Sequence, residues 1–190
     1  MQVHHYHYVL HLGGFSLITI YPIYTLQVGL VSPGEMTPYC GGSIITSRHI
    51  LTAAHCTTYK NSEKVKDPGS IQVLIGEHNT ADTVVDRQDV LAIKNHPQFD
   101  NENLHYDYAI LTLTSSLNFS STIGAVCLPA STQSLYTGQV ATVTGWGDTG
   151  ADGSPSSTLQ EVEVTVMSNQ ECSNYYPGKI EKYELFNLYV

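Results

Sequence analysis

The sequence predicts an all-β protein. Three observations carry this. Short β-branched and aromatic runs alternate with clusters of Gly, Pro, Asn, Asp and Ser from about residue 27 onward. Several of those runs have an apolar period of two. Helical signal is sparse, and there is no internal repeat and no heptad.

The elements follow in chain order. Ile71, Val73 and Ile75 alternate with Gln72 and Leu74, the pattern of a strand with one buried face. Before it, residues 60–70 form a polar connection containing Pro68-Gly69. Val140 to Thr144 reads as a strand that ends at Gly145-Trp146-Gly147. Val162, Val164 and Val166 alternate with Glu163 and Thr165, which predicts a strand with one wet face. The Gly-, Asp-, Ser- and Pro-rich stretch from Asp148 to Ser157 would join these last two strands as a long hairpin. The best helix runs from Ser168 to Tyr175, with Ser168 as its N-cap.

Composition narrows the function classes. The chain has 190 residues, 42% hydrophobic and 13% charged, enough to bury a real core. Asp and Glu outnumber Lys and Arg by 17 to 8, a net charge of −9. That argues against a nucleic-acid or anionic-membrane binder, which carries a basic footprint. No charged residue precedes Glu35, and the first basic one is Arg48. The uncharged front stretch is interrupted by Gly13-Gly14 and Pro22, so no membrane span is expected, and it lacks the basic start of a secretory signal. His4, His5, His7 and His11 suggest adventitious metal binding, but no Glu completes an H-E-x-x-H motif and no metal site is assigned. Residues 77–89 read as a solvated acidic loop, with calcium binding left open.

Four cysteines, Cys40, Cys56, Cys127 and Cys172, allow three pairings. None has C-x-x-C spacing, which disfavours structural zinc. Asn118-Phe119-Ser120 is a glycosylation sequon, and with disulfides it tilts toward an oxidising, extracellular setting.

The chemistry concentrates in two blocks. Cys40-Gly41-Gly42-Ser43 is followed by Thr52-Ala53-Ala54-His55-Cys56, where small neighbours let an imidazole sit against a strand end. Tyr106-Asp107-Tyr108-Ala109-Ile110-Leu111 then places a carboxylate at the head of a buried strand. Such an Asp is costly unless hydrogen-bonded, and orienting a histidine ring would satisfy it.

With Val126-Cys127-Leu128-Pro129 and Thr144-Gly145-Trp146-Gly147, these blocks resemble, in order and approximate spacing, the trypsin/chymotrypsin family of serine proteases. The resemblance implies a two-barrel fold. A leader would occupy residues 1–26. A partial protease domain would follow over 27–178, its first barrel at about 27–125 and the start of a second at 126–178, with an unmatched tail at 179–190. It implies His55 as general base, Asp107 as its orienting acid and a Cys40–Cys56 disulfide. Cys127 and Cys172 would be left unpaired by truncation at both ends, their family partners lying upstream and downstream.

The family nucleophile lies about 90 residues beyond the Asp, near residue 200, and no GDSGG block occurs in the sequence. Two stand-ins do not fit the role. Gly147-Asp148-Thr149-Gly150 falls where the family has a surface loop, and Asp148-Thr149-Gly150-Ala151-Asp152 lacks the apolar strand that precedes an aspartic-protease loop. Ser43 is a strand residue in the family. Leu12-Gly13-Gly14-Phe15 only faintly echoes the family's mature terminus, and no basic cleavage site precedes it. The expectation is therefore a secreted serine-type endopeptidase by family whose chain, as it stands, lacks a working nucleophile. The alternative is a non-catalytic homologue with a binding or regulatory role. Implied partners are a protein or peptide substrate or a protease. No cofactor, nucleic acid or membrane span is implied.

Overall fold

The computed structural model describes residues 9–12 (backbone), 26–60, 62–82, 86–128, 136–148, 154–175 and 177. His4, His5, His7, Thr149, Ala151, Asp152 and residues 179–190 lie outside the described residues. Nine strands are described: β1 (Val9–Leu12), β2 (Gln27–Val31), β3 (Cys40–Thr46), β4 (His49–Thr52), β5 (Gln72–Ile75), β6 (Asp86–Asn95), β7 (Ala109–Leu113), β8 (Val140–Gly145) and β9 (Gln160–Thr165). One short helix, α1 (Asn169–Tyr175), follows them.

Six strands close into an antiparallel barrel in the order β2-β3-β4-β7-β6-β5. Closure pairs every edge, so the barrel exposes no open row of backbone groups. Its inward residues form one core: Val28, Leu30, Ile44, Ile50, Val73, Ile75, Leu111 and Leu113 are each at most 1% exposed. The alternation is visible in β7, where Ala109, Leu111 and Leu113 are buried and Ile110 and Thr112 only partly so. In β5, Val73 and Ile75 join this core as the period-two pattern predicts. Leu74, which alternates with them, is also fully buried, on the opposite side of the strand.

β1, β8 and β9 form a second, three-stranded sheet. β8 and β9 pair antiparallel from Val140↔Thr165 to Gly145↔Gln160, as a long hairpin requires. Here one expectation is corrected. β9 has no well-buried face among its described residues, since Val162 is 45% exposed and Val164 is only half-buried. A sheet face is buried only where a second layer packs on it. The chain has the chymotrypsin-like two-barrel fold, with the first barrel closed and the second represented by this sheet.

The two parts meet along a polar seam. Thr144 Oγ1 donates to Gln27 Oε1, with both residues buried. Thr80 N donates to the Ser157 carbonyl at 2.8 Å and Leu159 N to that of His78 at 2.7 Å. At the far end, Ser168 caps α1 as the sequence predicts. Its Oγ accepts from Glu171 N (3.2 Å), while Glu171 Oε2 accepts from Ser168 N (2.9 Å), a reciprocal capping box. Those bonds to the backbone N–H and side chain of Ser168 hold the Glu171 carboxyl below its ordinary range.

Candidate active site

His55 sits just past the end of β4, in a single 3-10 turn, Ala54–Thr57. Two local features set that turn. Ala54 is fully buried, so only a small side chain suits the place. Thr57 Oγ1 donates to the Ala54 carbonyl (2.7 Å) and also reaches Asn95 Oδ1 (2.6 Å), which ties the turn to β6. A disulfide joins Cys56 to Cys40 at the start of β3. The glycines beside Cys40 have a steric reason. A Cβ on Gly42 would lie 2.8 Å from Ile50 Cγ2 and 3.0 Å from the Leu51 carbonyl oxygen, so β3 and β4 approach this closely only with glycine there.

Asp107 lies just before β7. β4 and β7 are antiparallel neighbours with Thr52 opposite Ala109, so the exit of one strand faces the entry of the other. That register brings together two side chains 52 positions apart in sequence. His55 Nδ1 is 2.5 Å from Asp107 Oδ2, and the His55 backbone N–H donates to Asp107 Oδ1 at 2.8 Å. Both side chains are largely shielded, at 16% exposure each. The backbone before Asp107 is forced, since Leu104 and Tyr106 take φ of 59° and 53°, a region that non-glycine residues avoid. Ring packing accompanies this turn. His96 stacks on Tyr106 with centroids 4.8 Å apart and meets Tyr108 at 4.7 Å, and the His96 backbone N–H donates to the Tyr108 carbonyl (3.0 Å).

A carboxylate on one ring nitrogen leaves the other, Nε2, to take up and return a proton. Nε2 lies 3.8 Å from Cys56 Sγ, on the disulfide side of the ring. Cys40, His55 and Cys56 offer nitrogen and sulfur atoms within 4.8 Å of one another. Both sulfurs are spent in the disulfide, though, and a metal needs thiolates. Beside the disulfide a shallow cleft of about 190 Å³ runs between the barrel and the second sheet, lined by Pro38, Tyr39, Gly41, Trp146, Gly147 and Pro155.

The family model described as Trypsin matches residues 22–187. The chain belongs to the trypsin family. It is 36% identical over 156 residues to a venom serine protease of Polistes dominula, covering 78% of this chain and 53% of that one. It is 34% identical over 150 residues to a trypsin of Xenopus laevis (76% and 55%), and 32% over 165 residues to the proclotting enzyme of Tachypleus tridentatus (83% and 43%). The chain thus spans about half the length of the curated relatives it matches.

The other sequence-singled residues of this trypsin-family chain lie apart from the pair. Cys127 is a free, exposed thiol and Cys172 a free, buried one, whose pKa burial pushes up. Asn118 is exposed, as a glycan acceptor has to be. Ser43 lies in β3, inside the barrel wall.

Two neighbours of the site escaped the sequence reading. Lys66 Nζ donates to the Cys56 carbonyl (2.9 Å) and stands 4.3 Å from the centre of the Tyr39 ring. Burial lowers the Lys66 pKa and raises that of Tyr39 to about 12. Residues 60–70 looked like an ordinary polar connection, because which ring a lysine covers is a non-local fact. No helix among the described residues is long and apolar enough to cross a membrane.

Proposed function

We propose that this chain carries the proton-handling half of a secreted serine-type endopeptidase. The observation that carries this reading is the His55–Asp107 pair, held at 2.5 Å and shielded at the rim of a closed barrel. In the proposed reaction a serine hydroxyl attacks the peptide carbonyl carbon while His55 Nε2 takes its proton. The C–N bond then breaks, and the same proton passes to the leaving amine. Water hydrolyses the acyl-enzyme through the same nitrogen. Asp107 accepts from Nδ1–H throughout, holding one tautomer and stabilising the imidazolium as it forms. The reaction also needs a serine nucleophile, and these 190 residues contain no GDSGG block. An extracellular setting is supported by the Cys40–Cys56 disulfide and by relatives named for venom and clotting.

The test joins residues 1–178 to a trypsin-family C-terminal segment bearing GDSGG. The folded chimaera should be labelled by a serine-directed phosphonate and should cleave a peptide amide. The 190-residue chain should not be labelled. A folded chimaera labelled equally fast with His55→Ala would overturn the assignment and favour a binding role.

A further inference from the structure

Three of the chain's eight basic residues, Lys60, Lys64 and Lys66, fall within one short stretch of a protein whose net charge is −9. That stretch directly follows the turn that carries His55. Its described parts, residues 58–60 and 62–66, pair with each other as the two arms of a small hairpin. Thr58 bridges Val65, Tyr59 N donates to the Lys64 carbonyl (3.1 Å), and Lys66 N donates to that of Thr57 (2.7 Å). Lys60 and Lys64 are exposed, and Lys66 is half-buried.

The hairpin's positive charge is not cancelled locally. None of the three lysines forms an ion pair with a described carboxylate, and the single salt bridge among the described residues is His55–Asp107. Glu63 is the one acid in residues 58–66. Asp67, next along, is engaged in capping, since its Oδ1 accepts from Gly69 N at 2.8 Å. Two of the ammonium groups face aromatic rings instead: Lys64 Nζ is 5.6 Å from the centre of the Tyr59 ring and Lys66 Nζ 4.3 Å from that of Tyr39. A ring face attracts a cation without neutralising it, so the charge stays available to an anion. Lys66 is also held in place by its bond to the Cys56 carbonyl, and a pre-positioned ammonium loses less freedom on pairing.

We propose that the Thr58–Lys66 hairpin is a docking surface for an acidic peptide segment, and that it selects substrates bearing Asp or Glu beside the bond to be cut. The word substrate rests on the endopeptidase reading above, whereas the binding does not. The occupant is fixed by charge complementarity: cationic arms bonded to the His55 turn through Lys66, on a chain whose overall acidity repels acidic ligands elsewhere. Exposed lysines contribute modestly, about two- to fivefold each. The combined preference for an acidic peptide over its neutral counterpart should be about tenfold at low salt and should fade at high salt.

The experiment is fluorescence anisotropy on the 190-residue chain, which needs no turnover. Three labelled peptides share one frame and differ in carrying Glu, Gln or Lys at the variable positions. The expected order is Glu over Gln over Lys. Lys60→Gln/Lys64→Gln/Lys66→Gln should erase it, with circular dichroism reporting the fold. Lys60→Glu/Lys64→Glu, which alters only exposed side chains, should reverse it toward the Lys peptide. The proposal is overturned by equal affinity for the three peptides, by no binding of any, or by a Glu preference that survives both variants. Loss of the charge preference with intact cleavage by the GDSGG chimaera would sink the docking surface alone. An inactive chimaera with the preference intact would sink the endopeptidase reading alone.

Discussion

The closed barrel and the three-stranded sheet obey the same strand rules and end in different states. In the barrel, β7 buries Ala109, Leu111 and Leu113 completely. In the sheet, β9 has an equally regular apolar period, yet Val162 remains 45% exposed and Val140, across the sheet on β8, 49%. Alternation only sorts side chains into two faces. Whether a face is dry depends on what stands opposite, and the barrel supplies its own opposite wall. The His55–Asp107 pair lies where β4 ends and β7 begins, at the rim of that wall.

The largest expected effect tests whether the barrel's pair does the work proposed. In the GDSGG-bearing chimaera, Asp107→Asn should lower kcat about 10⁴-fold, the loss that follows when a triad histidine loses its orienting carboxylate. Steady-state hydrolysis of a peptide amide measures this, and a loss under tenfold would remove Asp107 from the mechanism.

Stability contrasts the two regions directly. Leu111→Ala, at a fully buried barrel position, should cost about 2–5 kcal/mol through lost contacts and a cavity. Val162→Ala on the exposed face of β9 should stay within about 0.5 kcal/mol. Urea unfolding of both variants reads the difference, and equal costs would break the comparison.

The tether between β3 and the His55 turn comes next. Replacing Cys40 and Cys56 together with alanine should cost about 2–4 kcal/mol, since the closed loop no longer restricts the unfolded chain. The same urea titration tests it, and an unchanged midpoint would mean that Ala54 and Thr57 hold the turn unaided.

The smallest effect is a pH dependence at the barrel's cleft. Partial burial raises the Tyr39 pKa from 10.0 to about 12 by disfavouring the phenolate, although 37% of the residue stays exposed. Between those values the unfolded chain releases a proton that the folded chain keeps. Stability should therefore fall as pH rises through this window. Tyr39→Phe should flatten that part of the profile and remove the latest phase of a spectrophotometric tyrosine titration. A wild-type chain without the late phase would show that Tyr39 is hydrated.

Much of the site was legible in sequence because its signals are local. The small residues before His55, the glycines beside Cys40 and the polar residue heading a buried strand each follow from a nearby steric or solvation demand. The β9 valines are exposed for a reason that periodicity does not carry: what packs on a strand's other side is remote in sequence. Lys66 on the Tyr39 ring and the His96–Tyr106 stack were invisible on the same ground.

By itself, the sequence determined where strands form, which residues bear chemistry and which family the chain resembles. Those properties reside in the side-chain period, in residue type and in short motifs. Only the tertiary structure decided how His55 and Asp107 meet, that β9 stays wet and that a lysine hairpin flanks the site. The first depends on the β4–β7 register and the second on what packs against the sheet, and both are choices between distant segments that no local stretch of chain encodes.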